Sequence, residues 1–153
     1  MQLSEILNVN RVKNKVDIKS KKRALEELSH LLAQDQIQLD TSDIFDSLIS
    51  RERLGATGVG YGIAIPHGRI KNCPKITGAY IQLNEGVDFN TSDNQPVNIL
   101  FALIVPEEST DEHLQVLAFL ASMFSDEKIR KQLQESDSNE DTYQLLTQWQ
   151  KPD

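Results

Sequence analysis

The chain has 153 residues, of which 39% are hydrophobic and 25% charged, enough to bury one core of ordinary size and too apolar for a disordered polymer. Sixteen Lys and Arg against twenty-three Asp and Glu leave a formal net charge of −7, which argues against general nucleic-acid binding and against an anionic membrane surface as the main partner. A single cysteine, Cys73, cannot form an internal disulfide, and with three scattered histidines it gives no zinc-site spacing. With no secretory leader pattern and no apolar run of membrane length, the expectation is one cytoplasmic domain over residues 1–153, with no metal, no cofactor and no membrane insertion.

In chain order, Leu3–Leu7 fits either a short helix or an edge segment. Ser20 reads as the N-cap of a helix running to about Gln34, with Ala24, Leu25, Leu28, Leu31 and Leu32 at helical spacing. Its opening run, Lys21-Lys22-Arg23, opposes the helix dipole and reads as a solvated face, or as a docking point for an acidic partner. A shorter helix is predicted over Asp43–Ser50, turning Ile44, Phe45, Leu48 and Ile49 inward. Gly55, Gly58, Gly60 and Gly62 then predict a loop that brings backbone close to something. Strands are predicted over Ile63–Ile65, Thr77–Leu83 and Val97–Val105. The last is apolar enough to be buried on both faces, and Pro106 ends it. Ser109-Thr110-Asp111-Glu112 has the S-x-x-E pattern of a capping box. The helix it starts should bury Leu114, Val116, Leu117, Leu120, Ala121 and Phe124. Helices from near Ser125 (Ile129, Leu133) and from Ser138 (Tyr143, Leu146, Trp149) complete an α/β domain.

The stretch GYGIAIPHGR, residues 60–69, places His67 directly after a strand-ending proline and before Gly68, whose missing side chain leaves room for a partner. A turn histidine can simply fill space. Against that stand its place at a strand end, where α/β folds hold ligands, and the glycine loop before it. His113 falls in the first turn of a helix, where the dipole disfavours imidazolium and favours neutral imidazole. Arg51 or Arg53 could hold a tetrahedral oxyanion with its guanidinium fork. Thr57 offers a hydroxyl within the loop, and Gly62 and Gly68 offer close backbone approach. His30 reads as a surface residue. Neutral imidazole is nucleophilic, and phosphoryl transfer needs anionic oxygens held by an arginine and backbone N–H groups. Spacing alone stops at an anion-handling histidine site.

RERLGATGVGYGIAIPHGRI (Arg51–Ile70) and DNQPVNILFALIVPEESTDEHLQVLAFLA (Asp93–Ala121) resemble the two recurrent segments of the IIA proteins of the bacterial phosphoenolpyruvate phosphotransferase system. The likeness is to the fructose/mannitol-type branch and most closely to its nitrogen-regulatory members, which SKKRALEELSHLLA also resembles. The resemblance implies a mixed β-sheet with helices on both faces. It implies His67 as the phosphoryl acceptor, an HPr-like phosphocarrier as donor, His113 as phosphate support, and Arg51, in preference to Arg53, as the stabilising charge. It implies regulatory targets of the family's kinds, sensor kinases or potassium-transport components. Two other readings are open: a sugar-transport IIA passing phosphate to a IIB protein, and an interaction module without phosphotransfer. Tyr61 departs from the pattern, where a small polar residue, typically asparagine, is expected.

Overall fold

The apolar run Val97–Pro106 is the central strand of the sheet and is buried along nearly its whole length. This computed structural model describes residues 1–109 and 111–152. In chain order they form β1 (Val12–Val16), α1 (Lys21–Ala33), α2 (Thr41–Leu54), β2 (Gly58–Gly60), β3 (Ile63–Ala64), β4 (His67–Ile70), β5 (Thr77–Val87), β6 (Val97–Pro106), α3 (Glu112–Phe124), α4 (Glu127–Glu135) and α5 (Asn139–Gln148). Short 3₁₀ turns at Leu3–Glu5 and Val9–Arg11 precede β1. The sheet runs β1-β5-β6-β3-β2, with β4 also paired to β6. It is mixed, as expected: β5 is antiparallel to β6, while β3 and β4 are parallel to it.

One face carries Ile63, Ile65, Phe101, Leu103 and Val105 under α3, α4 and α5. The other carries Ala64, Ile70, Leu100, Ala102 and Ile104 under α1 and α2. Strand alternation therefore assigns His67 to the face of α3 and Gly68 to the face of α2.

The break between β3 and β4 corrects one expectation. His67 does not lie on a turn beyond a finished strand; it opens β4. Ala64 pairs with Leu100 and His67 with Leu103, so the register is kept across Ile65-Pro66. Pro66 has no N–H to give, but this line lies at the sheet edge, and its carbonyl still accepts from the Leu103 N–H at 2.9 Å.

Ser20 is the N-cap predicted, and Ser138, from which the last helix was expected, is also an N-cap; they accept from the backbone N–H groups of Arg23 and Asp141 at 3.1 and 3.0 Å. The capping box at Ser109 is not formed. The helix opens at Glu112, Asp111 takes the cap position without a side-chain bond, and Thr110 lies outside the described residues. In α3, Leu114 and Ala121 are exposed and Met123 is buried instead, because the core-facing stripe is Val116-Leu120-Met123-Phe124 and the expected set was wider than one helix face. The polar strand β1, VKNKV, was not foreseen; it exists by parallel pairing with β5. No helix among the described residues is long and apolar enough to cross a membrane.

Candidate functional site

The apolar stripe Ile44–Leu48 carries α2 across one face of the sheet and through Arg51, whose Nη1 donates 2.8 Å to the Gly55 carbonyl. On the other face α3 starts with His113 in its first turn. Between the two helix ends lies β4. A cleft of about 410 Å³ opens there, lined by Ser50, Arg51 and Leu54 of α2, His67 and Gly68 of β4, and His113. The structure thus brings His67, His113, Arg51 and Gly68 together. Arg53 is exposed and does not line the cleft.

The half-buried His67 ring has its Nδ1 2.9 Å from the Ile65 carbonyl oxygen. A carbonyl can only accept, so Nδ1 carries the proton and Nε2 keeps its lone pair. Burial holds the imidazole below its usual pKa, and the charges at Arg51 and His113 push the same way. The Ile65 bond and Glu52 oppose them without reversing the direction. The ring is therefore neutral at pH 7. On the His113 side, His113 Nδ1 and Ser109 Oγ are both buried with no hydrogen-bond partner among the described residues.

Two predicted site residues lie elsewhere. Thr57 is buried outside the cleft lining, its hydroxyl donating to Glu52 Oε2 and its N–H to Glu52 Oε1 at 3.4 Å. Gly62 sits in the β2–β3 turn at φ 75°, its carbonyl accepting from the N–H groups of Asn98 and Ile99 near the far end of β6. Gly68 does line the cleft, but a Cβ there would collide with Ser47 Oγ and come within 3.1 Å of the Ser47 backbone. The Cβ position of Gly68 is taken up by Ser47 of α2, so its missing side chain allows close helix packing.

Two residues were missed. Glu52 is buried and ion-paired, its Oε1 3.0 Å from Lys21 Nζ. Lys21 is accordingly no solvated charge: it is mostly buried, donates to the Phe89 carbonyl at 3.2 Å and lies 4.6 Å from the Phe89 ring centroid. The spacing Ile44-Leu48-Glu52 held the signal, a carboxylate on the continuation of an apolar stripe. Arg69, two residues after His67 on the same strand, reaches the β6–α3 loop and donates to the carbonyls of Glu107, at 3.0 Å, and Ser109. Tyr61 is exposed at φ 60°, with the Arg130 guanidinium 3.8 Å from its ring centroid, and does not line the cleft. Among the described residues no group of three or more His, Cys, Asp or Glu side chains is placed to hold a metal ion.

Residues 5–149 match the family described as phosphoenolpyruvate-dependent sugar phosphotransferase system, EIIA 2. The chain belongs to this family. As an EIIA 2 protein it is a component of a phosphotransferase system. It is similar to the nitrogen regulatory protein of Escherichia coli (strain K12), 40% identical over 148 residues that cover 96% of this chain and 90% of that relative. The crystal structure of nitrogen regulatory protein IIA-Ntr from Neisseria meningitidis superposes with a TM-score of 0.89 at 42% identity, covering 95% of this chain and 99% of that one. The mannitol IIA protein of Escherichia coli shares the fold alone, with a TM-score of 0.76 at 22% identity over 91% of this chain and 97% of that one. The mixed-sheet EIIA 2 architecture expected from the two sequence motifs is the architecture observed.

Proposed function

We propose that the protein is a phosphohistidine carrier in which His67 Nε2 accepts a phosphoryl group from an HPr-like donor and the phosphorylation state regulates target proteins in the cytoplasm. The carrying observation is the 2.9 Å bond between His67 Nδ1 and the Ile65 carbonyl. It fixes the tautomer whose lone pair is on the other nitrogen.

The donor's phosphorus approaches in line with the Nε2 lone pair. The Nε2–P bond forms as the donor N–P bond breaks, and the electron pair of that bond leaves with the donor nitrogen. The Nδ1 proton stays in place, and the Ile65 carbonyl stabilises the positive charge that the ring acquires. Arg51 supplies a permanent cation for the phosphoryl oxygens, and a His113 ring N–H can donate to them. A phosphoryl group set between α2 and α3 adds charge and acceptors beside the exposed Leu54 and Leu114, so the two states present different surfaces to regulatory targets such as sensor kinases or potassium-transport components.

Incubation with a phosphoenolpyruvate-fed donor system should give one acid-labile label per chain, lost in His67→Ala. Undiminished labelling of that variant overturns the reading. Capture of partners by wild type, His67→Ala and a His67→Asp mimic tests the regulatory output, and fast onward transfer to a sugar-specific IIB protein would assign transport in its place.

A further inference from the structure

A chain of buried polar contacts lies beside the cleft. Lys21 Nζ, from the first turn of α1, stands 3.0 Å from Glu52 Oε1. Glu52, from the last turn of α2, is only 6% exposed and holds both the N–H and the hydroxyl of Thr57. The Thr57 carbonyl accepts from the Ile65 N–H at 3.0 Å. The carbonyl of that same Ile65 accepts from His67 Nδ1 at 2.9 Å. None of these three residues lines the cleft, yet they end on the group that sets the tautomer of its nucleophile.

A buried ion pair is costly to desolvate, and an apolar pair of similar volume would often be as stable. Stability alone therefore gives little reason to place Lys21 and Glu52 here. Orientation gives one. Ile65 lies at the break between β3 and β4, where its carbonyl is turned to the His67 ring. Without an anchor on its N–H, the Ile65–Pro66 segment could rotate and release Nδ1. A neutral histidine side chain in water favours the Nε2–H tautomer, which would leave the proton where the phosphorus must attack.

We infer that Lys21, Glu52 and Thr57 are a positioning unit that fixes the Ile65 peptide and thereby keeps the His67 proton on Nδ1. This rests on the reading of His67 as the phosphoryl acceptor, but its primary test does not. The ¹⁵N chemical shifts of the His67 ring at neutral pH report the tautomer directly, in a protein that has never met a donor.

Wild type should show the Nδ1–H form. Thr57→Val, which removes the hydroxyl at constant shape, should show a mixture with Nε2–H, and its labelling rate should fall by about tenfold, as for loss of an orienting outer contact. Thr57→Ser should restore both. Lys21→Met/Glu52→Met, which leaves no buried charge behind and no side-chain oxygen for Thr57, should act as Thr57→Val does and covers the case in which Thr57→Val does not fold. Folded variants that keep the Nδ1–H form overturn the inference, whether or not their labelling is slow. If wild type shows Nδ1–H and Thr57→Val does not, while no donor labels His67, the positioning unit stands and the phosphoryl assignment falls.

Discussion

The loop that leads into His67 from α2 and the loop that leads into His113 from β6 reach the same cleft by different means. The first is anchored from within: a buried carboxylate holds Thr57, and the Thr57 carbonyl holds Ile65. The second is held from outside, by the exposed Arg69 side chain gripping the carbonyls of Glu107 and Ser109. On that side His113 Nδ1 and Ser109 Oγ have no partner among the described residues. The contrast fits two tasks. On the proposed reading, a nucleophile must present its lone pair before the donor arrives, so its tautomer is fixed in advance. An imidazole whose buried nitrogen has no partner among the described residues can turn to a group in the cleft.

The largest effect is expected from breaking the inner anchor. Glu52→Ala leaves Lys21 mostly buried and without its counter-charge, beside the Phe89 ring and carbonyl. Removing one partner of a buried pair costs about 3–5 kcal/mol. Urea unfolding should show a loss of that size, and Lys21→Met added to it should recover part. A loss below about 1 kcal/mol, the range of a surface ion pair, would mean that the pair is solvated and that the loop is held by other contacts.

Breaking the outer grip should separate activity from stability. Arg69→Met removes two bonds from a solvent-exposed side chain, so about 1 kcal/mol of stability is at stake. Labelling of His67 should nevertheless slow by about tenfold, since the loop that places His113 is released. Equal losses in an Arg69→Lys variant would point to the reach and placement of Nη1, which makes both bonds, and full recovery there would show that any cationic donor suffices.

The sequence made the main contacts of the site legible because motif and topology agree. A nearly continuous apolar run located β6, and the His113 helix follows it by a short loop. The α2 stripe, run on past Leu48, would have exposed Glu52 as the residue out of place. Read as the end of a predicted helix at Ser50, it was lost together with Lys21, whose burial depends on a partner thirty-one positions away in the chain (52 − 21). Long-range pairing of that kind leaves no periodic trace. β1 was invisible for a related reason: VKNKV has little apolar pattern, and its strand character comes from β5 beside it. Gly68 illustrates a third limit, since a glycine shows that something comes close without showing whether that is a ligand or the protein's own helix.

The smallest effect, at Tyr61, tests how far the ordered side of the comparison extends. This residue lies in the same glycine-rich stretch as Thr57, between Gly55 and Gly62, but it is exposed and outside the cleft lining. Its φ of 60° is a conformation that asparagine adopts more readily than a bulky aromatic, which gives a backbone reason for the small polar residue expected there. The ring answers that cost by stacking on Arg130, worth about 0.5–1 kcal/mol at an exposed site. Tyr61→Asn relieves the backbone and loses the stacking, so its stability should fall within about 0.5 kcal/mol of wild type, the range of ordinary surface substitutions. Tyr61→Leu loses the stacking and keeps the backbone cost, and should be less stable by about 0.5–1 kcal/mol. Neither should alter the labelling rate of His67 or its ring tautomer. A changed tautomer in either variant would mean that the anchor holding Ile65 runs on through the β2–β3 turn, and that the fixed side of the cleft includes the whole hairpin.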